Sequence, residues 1–283
     1  MKSFTPYGVS DFIPEESARF QKHLKAINQV FDQQSYHQVK TPTLEYYDTL
    51  SSAMGEYLKE QAIKFVDRSG HLLILRPDHT TPIARLAATR MSQHDRPLKL
   101  CYNDAVFRLK SGNFCDAIER FQVGAELIGA QGVQAEIEII MLCMRSLQAM
   151  GLKDLCLNLG HVSFSQQASQ AEKAALKSKN YVELSAIPEQ GGAEIFSEFP
   201  ELQELYRSCE SQLSECKVVA NKGLVQGLYY YSGLIFEVYA KQAADPIATG
   251  GRYDHLIEKF GKAEAAVGFG IDLTLIEEMR LQP

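Results

Sequence analysis

The sequence is short of most features that announce a function by themselves. No stretch approaches the ~20 consecutive apolar residues that a membrane span needs, and the opening MKSFTPYGVSDFIP lacks an apolar signal core, so neither membrane insertion nor export is expected. The six cysteines (101, 115, 143, 156, 209 and 216) form no CxxC pair and have no zinc-ligand spacing. Most of them lie in apolar runs, where a thiol behaves as a small hydrophobe, which predicts a reduced, cytoplasmic protein. The seven histidines make no HxH or HxxxH pair, so a metal site has no support, and no cofactor is expected. A P-loop and a Gly-x-Ser-x-Gly elbow are both missing. Basic runs are missing too. With 29 Lys and Arg against 35 Asp and Glu the net charge is −6, and no basic-aromatic interleaving marks a nucleic-acid surface.

What is present is a core-forming globular sequence of 283 residues, 45% hydrophobic, with no internal repeat and no low-complexity tail. Length alone allows one large domain or two small ones. Pro14, Glu15 and Glu16 open a helix in which Phe20, Leu24, Ile27 and Phe31 recur at helical spacing. Gln38–Pro42 reads as a short strand, and Ile63–Leu75 as a hairpin around Asp67–His71. Then come a helix over Thr80–Met91, a strand over Leu98–Phe107 and a polar loop over Lys110–Asp116. A third strand carries Gln122 and Glu126, and a core helix spans Gln134–Met150, with Gly151 as its stop. Further strands are expected at Leu155–Leu159 and Lys217–Ala220, with a more polar, helical interval between them. Leu224–Ala240 reads as a hairpin or kinked strand pair, and Thr249–Tyr253 as a glycine-rich corner. A helix, a strand over Ala265–Gly270 and a final helix complete the chain. Local hairpins with intervening helices predict an α+β fold with a largely antiparallel sheet.

The most informative stretch is His71–Gly129. In a strand, side chains two apart share a face, so Gln122, Gly124 and Glu126 line one side together. A carboxylate, an amide and a bare glycine on one face suit a small zwitterion. An ordinary solvent-facing strand has the same periodicity, and spacing alone does not separate the two.

These motifs carry a resemblance. LRPDHT followed by FR, a loop and QVGAELIG is similar to the core of histidyl-tRNA synthetase, a class II synthetase. The similarity continues, in order, through YYYSGLIFEVY and TGGRYDHLIEKFG. It implies a class II synthetase-like core, residues 1–283 as one domain, with a small helical insertion at roughly 163–216 and no C-terminal anticodon-binding domain. Gln38–Pro42 matches the first signature motif, which in that family builds the dimer interface. The resemblance also implies a pocket for L-histidine. Asp78 (a glutamate in the family), Thr80, Gln122 and Glu126 would hold the ammonium and its neighbours, and Arg108 the carboxylate. Tyr231 and Tyr253 would enclose the imidazole, while Gly227, Gly250 and Gly251 leave room for backbone near the ligand. Taken singly, each of these residues reads more readily as structural; taken together, in order and at family positions, they favour a histidine site.

The activating machinery does not match. Lys110 stands where the family has a glutamate that contacts ATP, Gln226 and Leu275 where it has arginines, and Tyr229 where it has an aspartate. Losing one preorganised transition-state contact typically costs about 2.7–4 kcal/mol. The pattern resembles the synthetase-like regulatory subunits of ATP phosphoribosyltransferase. It implies a non-catalytic chain, a homodimer within a hetero-oligomer, that binds histidine and confers feedback control on a short-form catalytic subunit, with no tRNA. The competing expectation is a degenerate synthetase core that still activates histidine or modifies a carrier.

Overall fold

A computed structural model describes residues 5–109, 117–166, 189–224, 230–241 and 243–280. In chain order the elements are α1 (Pro14–Gln33), β1 (His37–Gln38), β2 (Leu44–Tyr46), α2 (Tyr47–Ser51), α3 (Glu56–Gln61), β3 (Lys64–Val66), β4 (Leu72–Leu75), α4 (Thr80–Ala88), β5 (Leu98–Phe107), β6 (Glu119–Ile128) and α5 (Val133–Ala149). After them come β7 (Leu155–His161), α6 (Ser163–Gln166), β8 (Gln190–Gly191), α7 (Pro200–Gln212), β9 (Lys217–Asn221), β10 (Leu234–Ala240), β11 (Ala248–Arg252), β12 (Ala266–Asp272) and α8 (Leu273–Arg280).

Nine strands form one mixed sheet in the order β1-β5-β6-β12-β11-β10-β7-β9-β8. The six strands from β5 to β7 pair antiparallel throughout, and β1 with β5 and β7 with β9 are the parallel pairs. Strand alternation decides which face of this sheet is the core. On β6, Val123, Ala125 and Leu127 enter the main core with Phe20, Ile27 and Phe31 of α1 and Ile140 and Leu147 of α5. Their neighbours Gln122, Gly124 and Glu126 therefore face the other side. There, Ile83, Ala84 and Ala87 of α4 pack with Leu100, Tyr102 and Tyr253 in a smaller cluster. A second sheet, β2-β4-β3, covers α2 and α3 through Ile74, Leu50, Met54 and Leu58.

The β5 edge beyond β1 is sealed by side chains. Arg76, 1% exposed, donates from Nε to Ala105 O (2.7 Å) and from Nη1 to Thr41 O (2.8 Å), and His79 Nε2 donates to Asp104 O (3.0 Å). Such capping removes the open hydrogen-bonding groups that make a bare edge a pairing hazard.

Several boundaries differ from expectation. Thr249–Arg252 is not a corner but part of strand β11, between β10 and β12. Its glycines mark close approach. A Cβ on Gly250 would lie 2.5 Å from the Phe236 ring, and one on Gly251 2.7 Å from the Tyr231 ring. The helix expected after it is a single 3-10 turn, Ile257–Lys259, and α4 stops at Ala88 rather than Met91. Strand β10 pairs with β7 and β11, while most of the first arm of the expected hairpin falls on 225–229, outside the described residues. The expected loop over Lys110–Asp116 also lies outside them. In the interval between β7 and β9, α7 buries Leu205 and Cys209 against the α5 core, and β8 pairs with β9. Among the described residues no helix is long and apolar enough to cross a membrane.

Candidate ligand-binding site

On the α4 side of the sheet, β6 supplies Gln122 and Glu126. The turn into α4 supplies Asp78, His79 and Thr80, and the end of β5 supplies Arg108. Tyr253 follows β11, and Tyr230 and Tyr231 precede β10. Asp78, Thr80, Arg108, Gln122, Tyr231 and Tyr253 line one cavity of about 60 Å³, and the Glu126 carboxylate is bonded to two of them. Residues up to 175 positions apart in the sequence thus converge on one volume (Asp78 to Tyr253).

Glu126 has no exposed surface. The Tyr253 hydroxyl donates to its Oε2 (2.5 Å) and the Thr80 hydroxyl to its Oε1 (2.9 Å). Burial is the dominant influence on this carboxyl and pushes its pKa up to about 8; the two donors oppose the shift and the nearby Asp78 adds to it. Asp78, 3% exposed, accepts a hydrogen bond at Oδ2 from the Thr81 hydroxyl (2.9 Å). Its pKa is also raised by burial, against the pull of the Arg108 guanidinium and of Thr81. Its other oxygen, Oδ1, is buried and has no hydrogen-bond partner among the described residues. Arg108 is half-buried, with Nε donating to Pro77 O (2.5 Å).

Two carboxyl groups side by side, one with an unused acceptor, form an arrangement that a cation completes. An isolated buried charge costs several kcal/mol unless it is paired and hydrogen-bonded. Until a cation arrives, the cheaper state is for one of the two carboxyls to hold a proton.

Some residues of the site were not anticipated. Tyr102, 4% exposed, donates to Phe269 O (3.2 Å) and stacks on His79 with ring centres 4.3 Å apart. Because Asp104 O can only accept, the proton of His79 sits on Nε2, and burial holds its pKa down to about 4, so the ring is neutral. Tyr230 meets Tyr253 edge to face at 5.9 Å. Gly268 and Gly270 of β12 form a bare track beside these groups; a Cβ on Gly268 would collide with Glu126 Oε2. Alternating glycines in VGFGID carried that signal, as did Tyr102 two residues from Leu100.

Of the positions that depart from the synthetase pattern, Leu275 is partly buried in α8 and packs against the main core. Lys110, Gln226, Gly227 and Tyr229 lie outside the described residues. Among the described residues no group of three His, Cys, Asp or Glu side chains is placed to hold a metal ion.

Comparison with known proteins agrees on one family. A family model described as histidyl-tRNA synthetase matches residues 8–196 and 187–276. The ATP phosphoribosyltransferase regulatory subunit of Moorella thermoacetica is 32% identical over 309 residues, spanning 95% of this chain and 79% of that protein. That of Geobacillus thermodenitrificans is 32% identical over 307 residues, spanning 94% and 78%. A solved structure from Bacillus halodurans, described as an ATP phosphoribosyltransferase regulatory subunit/histidyl-tRNA synthetase, superposes with a TM-score of 0.86 at 30% identity over 98% of this chain and 84% of that one. Apo histidyl-tRNA synthetase of S. aureus shares the fold, with a TM-score of 0.70 at 22% identity over 99% of this chain and 70% of that one.

Proposed function

We infer a histidine-sensing role for this chain, which belongs to the histidyl-tRNA synthetase-like family of ATP phosphoribosyltransferase regulatory subunits. In this reading it binds L-histidine between β6 and α4 and conveys the occupancy to a separate, short-form catalytic subunit in the cytoplasm. Feedback control of the first step of histidine biosynthesis is the result.

The observation that carries the reading is Asp78 Oδ1, which has no hydrogen-bond partner among the described residues, beside the buried Glu126 carboxyl. The ammonium of the amino acid takes Asp78 Oδ1 as an acceptor and draws on Glu126. Arg108 faces its carboxylate, Gln122 adds a hydrogen-bond partner beside the ammonium, and the tyrosine walls, Tyr231 and Tyr253, receive the imidazole. A tyrosine presents both an apolar face and a polar tip, as an imidazole requires. None of these interactions calls for ATP or tRNA, and the net charge of −6 gives no general attraction for nucleic acid.

The same reading includes a homodimer. Directly paired residues on β2, β4 and β3 share a face, which places Leu44, Tyr46, Leu73, Leu75 and Phe65 together. Leu44, Tyr46 and Phe65 are 47%, 54% and 40% exposed. An apolar sheet face of this kind is what a second copy covers.

Titration calorimetry with L-histidine tests the site, and an activity titration of the catalytic subunit with and without this chain tests the role. Histidine inhibition that is the same in both mixtures would sink the regulatory reading.

A further inference from the structure

A second cavity, of about 610 Å³, opens where the N-terminal end of α1 meets the ends of β5 and β6. One wall is aromatic. Phe12 meets Phe20 edge to face with ring centres 5.5 Å apart, and Phe20 meets Phe121 in the same way at 4.9 Å. Phe12 and the adjoining Ile13 nevertheless remain 45% and 56% exposed. They are held in place. Ile13 N donates to Glu16 Oε2 (3.1 Å), Ser17 N donates to Ile13 O (2.9 Å), and Ile118 N donates to Gly8 O (2.7 Å), tying the preceding segment to the start of β6. Among the described residues the charge lining the cavity is one-sided. Asp11, Glu16, Glu119, Glu277 and Glu278 line it with a single guanidinium, Arg19, whose Nε already donates to Glu277 Oε2 (2.6 Å).

We propose that this cavity is the docking surface for the catalytic partner, receiving an apolar anchor side chain of that subunit flanked by lysine or arginine. The inference rests on the regulatory reading above and supplies the surface which that reading needs. Charge selects the occupant. Glu277 is taken up by Arg19 and His23, and the carboxylates of Asp11, Glu16, Glu119 and Glu278 repel a nucleotide or any polyanion and attract a basic segment. The aromatic wall suits the buried anchor around which interfaces concentrate their affinity. Phe12 and Ile13, already fixed at the helix entry, leave little ordering cost to be met on association. Position supplies the link to regulation. Phe121 and Gln122 are neighbours on β6, so their side chains point to opposite faces. One strand therefore carries the docking wall on one side and the ligand pocket on the other.

The test mixes the full chain with a short-form ATP phosphoribosyltransferase and follows assembly by sedimentation velocity at low and high salt. Three proteins are compared: wild type, Phe12→Ser, and the double charge reversal Glu119→Lys with Glu278→Lys at two exposed positions. The wild-type complex should weaken as salt rises. Each variant should assemble about ten-fold more weakly or worse at low salt, and the charge reversal should flatten the salt dependence. L-histidine should bind the isolated variants as it binds wild type, which shows the fold to be intact. Variants that assemble as tightly as wild type overturn the surface and leave the regulatory reading standing. Variants that break a homodimer and spare the mixed complex also overturn it, because a second copy is then the occupant. A wild-type chain that captures no catalytic subunit overturns both.

Discussion

The carboxylate of Glu126 occupies the space that any side chain on Gly268 would fill. The two residues are register partners on β6 and β12, and a Cβ on Gly268 would collide with Glu126 Oε2. Backbone on the next strand thus forms one wall of the socket, while Tyr253 and Thr80 donate into it from the other sides. An acid that is buried, twice hydrogen-bonded and backed by a bare strand has very little freedom to choose another position.

Gly268→Ala should therefore disable the ligand site at a cost to the fold, because the new methyl meets both the fixed Glu126 carboxyl and Ala125 O (2.8 Å). Overpacking a well-filled interior costs about 1–3 kcal/mol. The expected outcome is a folded protein of lower melting temperature with L-histidine affinity reduced by about ten-fold or more, since a hydrogen bond to a charged group contributes about 1.5–3 kcal/mol. Calorimetry and thermal unfolding measure the two effects separately. Unchanged affinity would place the ligand elsewhere.

Binding should release a proton. With its pKa pushed up to about 8, Glu126 is mostly protonated in the empty pocket at neutral pH, and an ammonium ligand favours the carboxylate. Affinity for L-histidine should rise as pH is raised from about 6.5 towards 8 and then level off as the proton is lost before binding. Titration in buffers of different ionisation enthalpy reads the released proton, and Glu126→Gln should remove it. The unliganded protein shows the other side of this linkage. A folded pKa above the ordinary 4.5 means that the unfolded chain loses this proton first, so the contribution of Glu126 to stability falls as pH rises from about 4.5 to 8.

Asp78 should show function and stability pulling in opposite directions. Its Oδ1 is buried without a partner among the described residues. Asp78→Asn removes the cost of a poorly compensated buried charge, and the empty protein should be as stable as wild type or more so. The same change removes the ammonium's acceptor charge, so L-histidine affinity should fall by about ten-fold or more. A variant that loses stability and keeps its affinity would contradict the assigned role.

No histidine-dependent exchange of pyrophosphate into ATP is expected. Leu275 packs against the core in α8, where the synthetase pattern has an arginine, and a leucine can offer no charge to a phosphate. Losing one such contact typically costs about 2.7–4 kcal/mol of transition-state stabilisation. Exchange well above a no-protein control would overturn this.

The exposed face of the small sheet should govern self-association. Tyr46→Lys combined with Phe65→Glu places charges among Leu44, Leu73 and Leu75 and should shift the chain towards monomer in sedimentation equilibrium. Ligand affinity of the monomer can then be compared with that of the dimer. A distribution identical to wild type would exclude this face as the contact.

The chain's local patterns determined a good deal. Periodicity placed Phe20, Ile27 and Phe31 on the buried side of α1, and alternation placed Gln122, Gly124 and Glu126 on one face of β6, because both depend only on backbone geometry within one element. The strand over Leu98–Phe107 was legible to the residue, since a mainly apolar segment bounded by Pro97 and Arg108 leaves few other choices. Elsewhere the sequence was silent or misleading. Gly250 and Gly251 read as a turn, although they are glycines because Phe236 and Tyr231, from other segments, lie against a strand. Nor does any spacing in LRPDHT reveal that Asp78 Oδ1 lacks a partner among the described residues, that His79 stacks on Tyr102, or that Glu126 sits against Gly268. Burial and desolvation are set by every segment that closes around a group. The protonation of Glu126, and with it the chemistry of the pocket, was therefore decided only when β6, β11, β12 and α4 came together.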